Sequence, residues 1–155
     1  MCLRDSIGLG VLAIGEAFGM QCIGLTSRNS DAELEAALRQ ADVLSLHAPL
    51  TPQTQNLINA ERLRWMKPTA RLVNMARGGL VQLDDLCAAL RSGQLAGAAL
   101  DVLPLEPPGS ELEELLNTPN LLISPHMGWS SRQARRRLVH TLARHLKAFT
   151  ERAAT

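Results

Sequence analysis

The sequence predicts an α/β protein in which a parallel sheet carries helices on both faces. Three observations predict it. Short apolar runs alternate with helix-like stretches along most of the chain, the pattern of strands joined by helical crossovers. The 155 residues are 46% hydrophobic and 20% charged, proportions of a globular domain large enough to bury a core. Polar, chemically equipped residues gather just after the apolar runs, where sheets of this kind bind ligands.

Taken in order, Cys22 to Leu25 is a short strand after Gly19. Ser30-Asp31-Ala32-Glu33 is a capping box, so a helix follows to about Arg39. Val43 to Leu46 is a buried strand, and Pro49 and Pro52 break the chain after it. A short helix spans Ala60 to Trp65, Lys67-Pro68-Thr69 is a turn, and Arg71 to Asn74 is a strand. Leu83 to Ser92 is an amphipathic helix with Leu83, Leu86, Cys87 and Leu90 on one face and Gly93 as its stop. Gly97 to Val102 is a strand of small residues, and prolines 104, 107 and 108 stiffen the loop beyond it. Glu111 to Leu116 is a short helix, Leu121 to Ile123 a strand, and Ser131 to about Glu151 a long final helix.

Composition excludes several function classes. Sixteen Lys plus Arg against fifteen Asp plus Glu leave a net charge of +1, which marks neither nucleic acid nor a membrane surface as partner. Aromatics are 3% of the chain, with no Tyr, too few for a base-stacking surface. The last helix carries Arg132, Arg135, Arg136, Arg137, Arg144 and Lys147 beside Leu138, Val139, Leu142, Leu146 and Phe149; it reads as a core-packing helix with a solvated basic side. Cys2, Cys22 and Cys87 are widely spaced and odd in number, and the four histidines have no ligand spacing. No metal site or disulfide framework is expected, and a reducing cytoplasm is. No apolar run reaches the roughly 18 residues of a membrane span. Three glycines and Glu16 argue against a signal peptide at Ile7 to Gly15.

Five segments follow strands: Thr26 to Arg28, His47 to Thr51, Asn74 to Gly79, Asp101 to Glu106 and Pro125 to Trp129. Arg77, beside Gly78 and Gly79, can hold a carboxylate through two parallel hydrogen bonds. The glycines allow backbone to approach a ligand closely. Glu106 stands between prolines, and His126 can act as acid or base near neutral pH. An arginine, a glutamate and a histidine at the carboxyl ends of one sheet suit polarising a carbonyl and moving a proton.

In order and spacing, the segments Val43 to Thr51, Asn74 to Leu80, Asp101 to Pro107 and Pro125-His126 resemble the D-isomer-specific 2-hydroxyacid dehydrogenases. Trp129 in Pro-His-Met-Gly-Trp is similar to the glyoxylate/hydroxypyruvate reductase and glycerate dehydrogenase branch. The resemblance runs from about Gly8 to the last helix. It implies a Rossmann-like doubly wound parallel sheet, with residues 1–155 forming an NAD(P)-binding domain that is incomplete at its start and lacks a separate substrate domain. It implies hydride transfer on 2-hydroxy and 2-keto acids, with Arg77 on the substrate carboxylate and carbonyl, His126 exchanging a proton with the 2-hydroxyl and Glu106 hydrogen-bonding His126. Asn74, Ala76, Arg77, Asp101, His126 and Gly128 are then expected around the nicotinamide end of the cofactor, with Trp129 nearby. His47, Ala48, Pro49 and Thr54 fall to the adenosine side, and Gly8 and Gly10 to the phosphate loop. A homodimer is the assembly implied.

The sequence departs from that pattern in its first βα unit. G-x-G-x-x-G is expected, but after Gly8-Leu9-Gly10 the next glycine is Gly15. Loop plus helix are about five residues short of the expected length. Arg4, Asp5 and Ser6 also stand where a buried strand belongs. After the second strand, Thr26, Ser27 and Arg28 replace the usual ribose-binding acid, which favours NADP over NAD, with either cofactor open. These departures keep a second expectation in view, a noncatalytic nucleotide-binding or dimerisation remnant.

Overall fold

The computed structural model describes residues 2, 3, 6–110 and 112–153. The chain divides into two units, Met1–Pro125 and His126–Thr155. In the first, a six-stranded sheet is formed by β1 (Cys2–Leu3), β2 (Gly24–Leu25), β3 (Val43–Leu46), β4 (Arg71–Asn74), β5 (Gly97–Leu100) and β6 (Leu121–Ile123). Its order is β2-β1-β3-β4-β5-β6, and every pairing is parallel. The helices of this unit are α1 (Ser6–Ala17), α2 (Asp31–Gln40), α3 (Ala60–Trp65), α4 (Leu83–Arg91) and α5 (Leu112–Leu116). The second unit is a turn followed by α6 (Arg132–Ala153). The expected helix start at Glu111 and the disturbed strand residues Arg4 and Asp5 lie outside the described residues.

Most elements form where the local sequence asks for them. The Ser30 hydroxyl accepts the Glu33 amide, and the Glu33 carboxylate accepts the Ser30 amide at 2.7 Å, closing the capping box. The Ser30 amide, the Ser30 hydroxyl and the Asn29 side chain together hold the Glu33 carboxyl below its usual range. A carboxylate with a depressed folded-state pKa stabilises above its unfolded value, and that stability is lost as pH falls through the folded one. Glu33→Gln is therefore expected to lower the neutral-pH melting temperature, with the difference from wild type fading in acid. Ser30→Ala should cost about 1 kcal/mol. Thermal melts across a pH series read both. After α4, Gly93 takes a φ of 75°, a left-handed stop that costs glycine nothing.

The core lies on one face of the sheet. Leu44 and Leu46 of β3, Leu72 of β4 and Leu100 of β5 are buried there with Leu34 and Leu38 of α2, Leu63 of α3 and Leu86 and Leu90 of α4. The other face differs from the expectation of two covered faces. Within this unit α1 packs on β1 and β2, and between it and the sheet lies a cavity of about 510 Å³, lined by Val11, Gly15, Cys22, Val43, Ser45 and Val73 among others. The register places Ser45, Val73, Ala99 and Leu122 side by side across four strands. The first three are half-buried and Leu122 is 68% exposed.

Three further expectations change. Cys22 to Leu25 and Gly97 to Val102 shorten to Gly24–Leu25 and Gly97–Leu100. Gly8 and Gly10 lie inside α1 rather than in a turn before it. The last helix packs no core within its own unit: Leu138, Val139, Leu142, Leu146 and Phe149 are all exposed. Among the described residues no helix is long and apolar enough to cross a membrane.

Candidate functional site

In an open parallel sheet, ligands bind beyond the carboxyl ends of the strands, at the point where strand order reverses. Here that point lies between β1 and β3. The segments after β2, β3, β4 and β5 all emerge at that edge of the first unit.

The loop after β4 is built by Asn74, which is fully buried. Its side-chain oxygen accepts the Ala76 amide at 3.1 Å, and its amide donates to the Arg77 carbonyl at 2.9 Å. Both ends of a buried amide are thus satisfied, and the backbone that presents Arg77 is fixed. The Arg77 side chain is exposed, with Nη1 donating to the Ala76 carbonyl at 2.6 Å. Gly78 then meets the loop after β5: a Cβ there would stand 2.0 Å from the Leu103 carbonyl carbon and 2.4 Å from the Pro104 nitrogen. The close approach expected of this glycine is therefore made to the protein's own backbone. It joins the Arg77 loop to the Glu106 loop, where the Glu106 carboxylate accepts the Leu103 amide at 2.8 Å.

Asp101 is buried at the end of β5 and accepts a 2.5 Å hydrogen bond from the Ser124 hydroxyl at the end of β6. Ser124 escaped the sequence reading. The signal was there, since it is a polar residue closing an apolar strand beside the expected site. His126, Gly128 and Trp129 belong to the second unit. His126 has a φ of 48°, a left-handed backbone that few residues with a side chain adopt. Trp129 is exposed.

On the expected adenosine side, His47 is buried, with Nε2 2.8 Å from the Ser45 hydroxyl. Thr54 shapes the loop holding Ala48 and Pro49: its hydroxyl donates to the Pro49 carbonyl at 2.7 Å and accepts the Thr51 amide at 2.8 Å. Asn29 closes the turn after β2 by accepting the Thr26 amide at 2.8 Å. The Thr26 hydroxyl accepts the Arg28 amide at 3.2 Å, and Ser27 and Arg28 are exposed.

The residues therefore fit a nicotinamide dinucleotide unevenly. The loops after β4 and β5 are ordered and polar, as its nicotinamide end requires. The phosphate end does not fit: β1 ends at Leu3 and α1 begins at Ser6, so no glycine turn separates strand from helix.

A family model described as "D-isomer specific 2-hydroxyacid dehydrogenase, NAD binding domain" matches residues 5–128. A glycerate dehydrogenase of Methylorubrum extorquens is 40% identical over 148 residues, 93% of this chain and 47% of that protein. A glyoxylate reductase of Thermococcus kodakarensis is 42% identical over 153 residues, 92% of this chain and 45% of that protein. This chain thus spans about half the length of such relatives. Among solved structures, the NAD-complexed D-isomer specific 2-hydroxyacid dehydrogenase of Lactobacillus delbrueckii ssp. bulgaricus matches with a TM-score of 0.84 at 30% identity, over 94% of this chain and 52% of that one. A D-2-hydroxyisocaproate dehydrogenase matches with a TM-score of 0.88 at 26% identity, over 99% and 53%. With the sheet order, the strand-end loops and four matching segments, these similarities show a chain that belongs to the D-isomer specific 2-hydroxyacid dehydrogenases through their NAD binding domain.

Proposed function

We propose that this chain is the nucleotide-binding half of a nicotinamide-dependent oxidoreductase that acts on small 2-keto and 2-hydroxy acids, of the glyoxylate/hydroxypyruvate reductase kind. The observation that carries the proposal is the coupled pair of loops, with Arg77 held out by buried Asn74 and locked through Gly78 to the loop of Glu106. Arg77 binds the substrate carboxylate through its planar fork. His126 gives or takes the proton at the 2-hydroxyl oxygen, and Glu106 positions His126. The bound cofactor supplies or accepts the hydride.

Ala76, Asp101 and Gly128 border the nicotinamide, and Asp101 is steadied by Ser124. Exposed Arg28, with no carboxylate in the Thr26 to Arg28 turn, supports NADP over NAD. A cytoplasmic homodimer is the proposed setting. Free Cys22 and Cys87 suit a reducing compartment, and exposed Ile7, Ile14 and Phe18 on and just after α1 are surface that association would bury.

One observation favours a second reading, a noncatalytic remnant: the helix runs through Gly8 and Gly10. Steady-state kinetics with glyoxylate and hydroxypyruvate separate the two. Under the first reading Arg77→Gln raises KM by roughly 10- to 100-fold, the worth of a lost charged hydrogen bond. A chain with no substrate-dependent turnover supports the remnant.

A further inference from the structure

The phosphate end of the dinucleotide site carries an inference that rests on the oxidoreductase reading and deepens it. Dinucleotide recognition at a switch point uses three glycines: one for the turn, one for close approach of backbone to pyrophosphate and one for packing of helix on strand. The helix N-terminus beyond that turn holds the charge. In this chain those tasks are separated. Gly8 and Gly10 are the third and fifth residues of α1, where their amides belong to a helix rather than to a turn. A Cβ at Gly10 would meet nothing within 4 Å. The position three after Gly10 is Ala13, also helical.

Only the packing task survives, and at a different glycine. A Cβ on Gly15 would lie 2.7 Å from the Cys22 sulfur, so Gly15 is what lets α1 lie close to the chain entering β2. A helix short by about five residues falls short by about 7.5 Å. The cavity between α1 and the sheet, reaching from Gly15 to Val43 and Val73, marks that shortfall.

We infer that recognition of the cofactor in this chain is confined to its nicotinamide nucleotide half, because a continuous α1 replaces the turn that would cradle the pyrophosphate. The adenosine diphosphate half then adds little to binding, and a mononucleotide serves nearly as well as the dinucleotide.

Calorimetric titration of the full chain with reduced nicotinamide mononucleotide, NADH and NADPH tests this. The expected result is three dissociation constants within about threefold of one another, because a helix-borne glycine pair adds no phosphate contact. NADH or NADPH binding more than about 30-fold tighter than the mononucleotide would overturn the inference while leaving the oxidoreductase reading intact. Failure of all three to bind, in a chain that melts cooperatively, overturns both.

Discussion

Gly78→Ala is expected to leave the chain severely destabilised, with a melting temperature lower by roughly 10 °C, the consequence of a loss of about 3 kcal/mol. The reason is the identity of the neighbours. An added methyl would sit 2.0 Å from the Leu103 carbonyl carbon and 2.2 Å from its oxygen. These are backbone atoms, and no rotamer change moves them away. Gly78 is itself buried, as are Gly79 and Leu80 after it, so relief requires the loops after β4 and β5 to separate. That separation would also uncouple Arg77 from Glu106. Gly10→Ala is the matched control. Its methyl has open space, and alanine in a helix interior gains about 0.5–1 kcal/mol over glycine. Calorimetric melts of the two variants should therefore move in opposite directions.

His126→Asn is expected to lower turnover of a 2-keto acid by roughly 100- to 10,000-fold, the range attributed to a positioned proton donor. Asparagine is the informative replacement because it tolerates the left-handed backbone that His126 adopts at a φ of 48°. It removes proton transfer without imposing a new backbone cost. If His126 acts on the proton alone, kcat falls and KM moves little. Arg77→Gln should do the reverse, so the pair of variants separates substrate binding from chemistry. Equal effects of both variants on KM would instead assign His126 to binding.

Much of the fold was legible because local chemistry fixes it. The Ser30 and Glu33 pair sets the start of α2, and β3, β4 and β6 begin and end where their apolar runs do. The loops after β4 and β5 were legible as candidate chemistry because arginine, glutamate and glycine there serve no strand. Three features were hidden. Glycine carries a helix penalty of about 1 kcal/mol, so Gly8, Gly10 and Gly15 argue against the helix that forms. The apolar run from Ile7 to Ile14 and the two residues between β1 and α1 override that preference. The half-covered face was hidden because Val73, Ala99 and Leu122 are as apolar as strand residues buried on both sides. The partner of Gly78 was hidden because sequence shows that a glycine permits close approach, not which backbone approaches.

The most direct test of the proposed activity is nicotinamide absorbance followed with the purified full chain, either reduced cofactor, and glyoxylate or hydroxypyruvate. The predicted result is cofactor oxidation that depends on the keto acid, saturates with it and is lost in His126→Asn. Cofactor oxidation no faster than in the protein-free blank, from a chain that melts cooperatively, would contradict it.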